Sequence, residues 1–226
     1  MPKVRINFRD ELEAAERGLL SEGTLVLQQL TAVMQAMDSR DTHLAQSIIR
    51  NDDRVDDLYL ATDARILNLI ALQAPVARDL RLVSALLHSN VHLERMGDLC
   101  VNVAKFVSNG HPYPSDDAIM ISLQDMGARA GQMIELALRA FSSRSVDLAE
   151  QLPVYDDAID RLNRGMLHHL RDYIGDEDSY EWAVQLLLVA RYLERIGDHA
   201  VDIGEQTSFL VTGVFREFTD ASRQPV

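Results

Sequence analysis

Apolar residues recur every three to four positions along almost the whole chain, and no stretch alternates with the period of two that marks a strand. The pattern predicts six helices, over about 5–38, 41–72, 76–108, 115–144, 146–174 and 178–212. In the second helix Ile48, Val55, Thr62 and Leu69 form one column at heptad spacing. Ser39-Arg40-Asp41 interrupts the first pattern and offers Asp41 or Thr42 as a cap. Pro75 ends the second helix, because proline disfavours a helical residue before it and is welcome in a first turn. Pro153 falls in the first turns of the fifth, to kink it or move its start. Gly175-Asp176-Glu177-Asp178 reads as a turn, Gly213 as the stop of the last helix, and Arg216 to Val226 as a frayed tail.

Asn109-Gly110-His111-Pro112-Tyr113-Pro114-Ser115 is the clearest loop and divides the chain into 1–110 and 111–226, each long helix, long helix, long helix. The halves carry a repeat: Glu94-Arg95-Met96-Gly97-Asp98 returns as Glu194-Arg195-Ile196-Gly197-Asp198. A charged block inside an apolar helix pattern is not something packing asks for twice. Short connections make neighbouring helices antiparallel, so the expected fold is all-α, two pseudo-symmetric three-helix bundles packed side by side.

The repeated block belongs to four acidic constellations. The second helix carries Asp52-Asp53-Arg54-Val55-Asp56 and the fifth Asp156-Asp157-Ala158-Ile159-Asp160. The third carries Glu94, Asp98 and Asn102, the sixth Glu194, Asp198 and Asp202. Spacings of four stack these groups on one helix face. Charge runs on helices are ordinarily solvated, but these share heptad columns with apolar residues: Glu94 with Leu80, Leu87 and Val101, Glu194 with Tyr180, Leu187 and Val201, Asp160 with Leu167 and Ile174, and Asp52 with Ala45, Tyr59 and Ile66. Carboxylates turned inward require compensation. Arg95–Asp98 and Arg195–Asp198 can pair at i, i+3, which leaves the other acids for a bound cation or for further arginines. Magnesium, calcium and manganese suit hard oxygen donors, and iron and zinc accept carboxylates too. Gly97 and Gly197 each cost a helix about 1 kcal/mol relative to alanine and so point to a close approach by a neighbouring helix or a site atom. His88 and His92 have ligand spacing but no counterpart in the second repeat; His199 is expected to turn away from the acids.

Charge narrows the partners. A net charge of −13 speaks against nucleic acid and against direct adhesion to an anionic membrane. No apolar stretch approaches the ~20 residues needed for a span, and the N-terminus lacks an apolar signal region. The single cysteine, Cys100, fits a reducing compartment, and the expected location is the cytoplasm. Glycine-rich phosphate loops, nucleophile elbows and the Glu-x-x-His pairs of di-iron bundles are all missing.

The doubled Glu-Arg-x-Gly-Asp block, with Asn51-Asp52-Asp53-x-x-Asp56 and Gln73-Ala74-Pro75-Val76-Ala77-Arg78-Asp79-Leu80-Arg81, resembles the PhoU family of phosphate-uptake regulators from about Phe8 to Gly213. The resemblance implies a non-enzymatic adaptor that restrains a high-affinity phosphate ABC transporter, through its ATPase subunit, and helps a phosphate-sensing histidine kinase stay off. It implies a homodimer and iron, zinc or other divalent ions held by acidic motifs. By motif matching the first site is Asp52, Asp56, Glu94 and Asp98, the second Asp156, Asp160, Glu194 and Asp198, with Asn102 and Asp202 at the periphery. Asp202 departs from the family's more frequent Asn, and no Pro-x-Ala-x-Asp-Leu-Arg stretch precedes the sixth helix, so the two connections should differ. Two other functions compete: a magnesium-dependent prenyl-diphosphate enzyme using the Asp-Asp-x-x-Asp motifs, and a metal buffer.

Overall fold

The computed structural model describes residues 2–110, 117–174 and 179–218, and all regular structure among them is helical. The helices are α1 (Pro2–Ser39), α2 (Thr42–Arg50), α3 (Asp53–Gln73), α4 (Ala77–Ser108), α5 (Asp117–Ser143), α6 (Val146–Ala149), α7 (Leu152–Ile174) and α8 (Tyr180–Thr212). The six-helix architecture stands, with the second and fifth helices each interrupted. The expected boundary loop beyond Gly110, the turn at 175–178 and the end of the tail lie outside the described residues, and so does the comparison of the two connections.

Both interruptions have local causes. At the first, Asn51 N donates to Ser47 O and Ile48 O, and Val55 N donates to Asp52 O at 2.8 Å, a tightened turn. Asp53 and Asp56 then fall in the first turn of α3, where the positive end of the helix dipole favours negative charge. The aspartate run therefore starts a helix rather than sitting inside one. At the second, Ser145 caps α6 by accepting from Leu148 N, and α7 restarts at Leu152 with Pro153 in its first turn, where a missing N–H costs nothing. Asp41, not Thr42, is the cap of α2. Ala74 closes α3 in the left-handed region (φ 43°), and Ala77 opens α4 at φ 51°, so two alanines flank the Pro75-Val76 corner in a conformation that L-residues adopt at a cost.

One continuous apolar core draws on both halves. The column Val55, Thr62, Leu69 is buried as the heptad spacing requires. The halves meet along two helix pairs. Arg144 Nη2, just past the end of α5, lies 2.7 Å from Glu16 Oε2 on α1, and Gln124 Nε2 on α5 donates to Met34 O at 3.2 Å, so α1 and α5 run antiparallel. Arg81 at the start of α4 reaches Gly213 at the end of α8, while His92 meets His199, so α4 and α8 are antiparallel too. The tail corrects one expectation: Phe218 folds back, its N–H donating to Glu205 Oε1 at 2.7 Å and its ring packing beside Gly204.

Candidate functional site

The aspartates at the start of α3 face the middle of α4, and those at the start of α7 face the middle of α8. In the first half the charges of Asp52 and Asp98 lie close enough to Asp56 and Glu94 to raise the proton affinity of those two carboxyls. The Glu94 carboxyl is held above its usual range first by burial, then by Asp98, with Arg95 opposing; Asp56 is raised by burial and then by Asp52 and Asp98. Arg95 reaches Glu94 at 3.5 Å and Asp98 at 3.6 Å, and Gln29 Nε2 donates to Asp52 Oδ1 at 3.0 Å. Asn102 is half-buried one turn beyond Asp98.

A fifth acid joins them. Glu22 on α1 is fully buried, neither carboxyl oxygen has a hydrogen-bond partner, and burial with the nearby charges of Glu94 and Asp56 pushes it up to about 9. It was legible in the pattern. Leu12, Ala15, Leu19, Glu22, Val26, Gln29, Val33 and Ala36 follow one strict three–four stripe, and Glu22 and Gln29 are its two polar members.

In the second half Asp156 and Glu194 are buried and Asp198 half-buried. Burial, then Asp198 and Asp160, pushes Asp156 up to about 7; burial and Asp198 push Glu194 to about 7 against the pull of Arg191. Asp198 is raised by burial, with Arg191 opposing. The expected Arg195–Asp198 pair does not form among the described residues; Arg191 instead pairs with Glu194, one turn away on the same helix, and Arg164 with Asp160 at 3.2 Å. Asp156 Oδ1 and Glu194 Oε2 remain without partners. Arginines thus attend Glu94, Asp98, Asp160 and Glu194, while among the described residues Glu22, Asp56 and Asp156 have no ion pair.

The two glycines are where the partner helix comes closest. A Cβ on Gly97 would stand 3.2 Å from Val55 Cγ1 and 3.4 Å from Gln29 Oε1; one on Gly197 would stand 3.0 Å from Asp156 Oδ1 and 3.4 Å from Met133 Sδ. These contacts make Gln29 and Met133 equivalents in the two halves. The offset that carries Gln29 onto Met133 also carries Asp52 onto Asp156 and Glu22 onto Met126. The first site therefore has a carboxyl and an amide from α1 where the second has two buried methionines from α5.

Asp202 departs from the acidic face. Its Oδ2 lies 3.2 Å from His92 Nδ1 and 3.5 Å from His199 Nδ1, and the two ring nitrogens are 3.1 Å apart. His199, expected to turn away from the acidic face, turns toward Asp202. Among the described residues this is the one trio of histidine, cysteine or acidic side chains whose ligand atoms all lie within 4.8 Å of one another; the carboxylates of the two clusters are more widely set.

No helix among the described residues is long and apolar enough to cross a membrane. The family model described as the PhoU domain matches residues 19–107 and 123–207. The phosphate-specific transport system accessory protein PhoU homolog of Clostridium acetobutylicum is 32% identical over 208 residues, 91% of this chain and 94% of that protein. The homolog from Pseudomonas aeruginosa is 31% identical over 207 residues, 91% and 86% of the two chains. The crystal structure of PhoU from Pseudomonas aeruginosa superposes with a TM-score of 0.85 at 31% identity, covering 92% of this chain and all of that one. The phosphate transport system regulatory protein PhoU from Streptococcus pneumoniae gives 0.83 at 28% identity, covering 92% and 99%. With both repeats matched and the fold shared over nearly its whole length, the chain belongs to the PhoU family.

Proposed function

We propose that this protein is a cytoplasmic, non-enzymatic regulator of phosphate uptake that restrains the ATPase subunit of a phosphate ABC transporter and keeps a phosphate-sensing histidine kinase inactive, acting as a homodimer. Its relatives above are named as accessory or regulatory proteins of phosphate transport, which supports the role. The observation that carries the site is the pair of buried acids without cationic partners, Glu22 and Asp156, with the half-buried Asp56 also unpaired among the described residues, each beside a Glu-Arg-x-Gly-Asp block. Such groups are tolerated as protonated carboxyls or as ligands of a cation, and the clusters are read as sites for iron, zinc, magnesium, manganese or calcium.

Exposed apolar side chains gather where α3 hands over to α4: Leu67, Ile70, Leu72, Val76 and Leu80, around the strained alanine corner. This tip is the surface read as meeting the transporter. In cells depleted of the native protein, an E194A/D198A double variant expressed at normal level should leave phosphate uptake derepressed; uptake held at the repressed rate would refute the coupling of site to function. Elemental analysis of protein purified without chelator or affinity-tag metal identifies the ion.

A further inference from the structure

The His92, His199 and Asp202 trio lies apart from the acidic faces, where α4 crosses α8 and the two repeats meet. Its atoms form a triangle with edges of 3.1, 3.2 and 3.5 Å. Around a tetrahedral zinc with ligand bonds of about 2.0–2.1 Å, neighbouring ligand atoms stand about 3.3–3.4 Å apart. The triangle is thus close to one face of such a tetrahedron without any movement of the helices. One proton placed among the three atoms satisfies a single edge; a cation above the face satisfies all three.

The chemistry of the donors is selective. Two imidazoles and one carboxylate suit zinc and its borderline relatives rather than magnesium or calcium, which take oxygen. The two rings are largely buried, while the Asp202 side chain is 41% exposed, which leaves a route in and a corner for water. The site is single. The repeat-related positions hold Tyr192, Leu99 and Asn102, which cannot assemble an equivalent. Of the trio, His92 comes from the first repeat and His199 and Asp202 from the second, so a bound ion ties one half of the molecule to the other.

We propose that His92 Nδ1, His199 Nδ1 and Asp202 Oδ2 form a mononuclear, zinc-type metal site at the junction of the two repeats, separate from the carboxylate clusters. The test uses the full chain stripped by chelator and titrated with cobalt(II), whose visible absorption is strong in tetrahedral nitrogen–oxygen sites and weak in octahedral oxygen sites. One equivalent of strongly absorbing cobalt is expected, displaced by zinc. It should be lost in His92→Asn and in His199→Asn and persist in the E94Q/D98N variant, which alters the first acidic cluster alone. Zinc added to the unaltered protein should also shift the ring signals of two of its seven histidines in NMR spectra, a readout that needs no variant. Cobalt taken up only in the weakly absorbing form, or ring signals left unmoved by stoichiometric zinc, overturns the proposal whatever the carboxylate clusters bind.

Discussion

Replacing Glu22 by methionine, the residue that fills the equivalent place in the second half, should stabilise the metal-free protein in a way that grows with pH. The carboxyl is fully buried, lacks any hydrogen-bond partner, and is pushed from 4.5 up to about 9. The sign follows from linkage. In the unfolded chain the group releases its proton near 4.5, whereas in the folded chain it keeps it until about 9. Below the lower value both states are protonated and no pH-dependent penalty exists. Between the two, each pH unit costs the fold about 1.4 kcal/mol, and above the upper value the penalty levels off. From about 4.5 to about 7 the accumulated cost is roughly 3 kcal/mol, a large share of the stability of an ordinary domain. Glu22→Met removes that cost and adds an apolar side chain of similar size to a stripe already made of Leu19 and Val26. Urea unfolding of both proteins in chelator, at several pH values from about 4.5 to about 8, measures the difference. The gap should widen by about 3 kcal/mol between the acid end and neutrality. A gap that stays constant with pH would show that Glu22 is ionised in the metal-free fold, and would refute the claim that burial governs it.

Two further outcomes bear on the acidic sites. Asp156→Asn should stabilise the chelated protein at neutral pH by more than about 1 kcal/mol and have little pH-dependent effect below about 4, because burial and the neighbouring acids raise this carboxyl from 3.8 to about 7; urea unfolding across that window checks it. Gly197→Ala places a methyl 3.0 Å from Asp156 Oδ1 and should weaken divalent-ion binding at the second site by about tenfold or more by calorimetry, whereas Gly97→Ala, against the side chains of Val55 and Gln29, should weaken the first less.

The six-helix layout, the buried column of α3 and the burial of Glu194 were legible because each depends on periodicity within a single helix, and the stop at Gly213 because a left-handed cap favours glycine. The interruption at Asn51-Asp52 was not. A periodic column survives one tightened turn, so Val55 and Thr62 stay buried whether or not the helix is continuous. Glu22 sits in a stripe as regular as any in the chain, and its meaning appears only once α1 lies across α3 and α4. The arginine partners depend on rotamers. Arg191 and Arg195 lie three residues before and one after Glu194, and spacing alone does not say which guanidinium turns to the carboxyl that ends up buried. The histidine trio was beyond reach for another reason. It brings together residues more than a hundred positions apart at a helix crossing, and its members have no equivalents at the repeat-related positions.

The two acidic clusters are not interchangeable. Each half supplies aspartates from the start of one helix and a Glu-Arg-x-Gly-Asp block from the middle of another, so the repeat suggests equal sites. The third helix of each bundle breaks the equality. On α1 the seam contributes Glu22 and Gln29, the amide already holding Asp52 and the carboxyl standing without a partner. On α5 the same places hold Met126 and Met133, both fully buried. A cation entering the first site can therefore recruit one more oxygen donor, but must displace a proton held to about 9 to do so. A cation entering the second finds fewer donors, with Asp156 and Glu194 releasing their protons near 7. Occupancy of the second site should respond to pH around neutrality. The first should bind more weakly at low pH and gain more from each proton lost. Two copies of one helical unit thus differ in proton affinity through the residues one apolar stripe carries, Glu22 and Gln29 against Met126 and Met133, and on the proposed reading of the clusters as cation sites this allows a graded response to ion supply without any change in the shared fold.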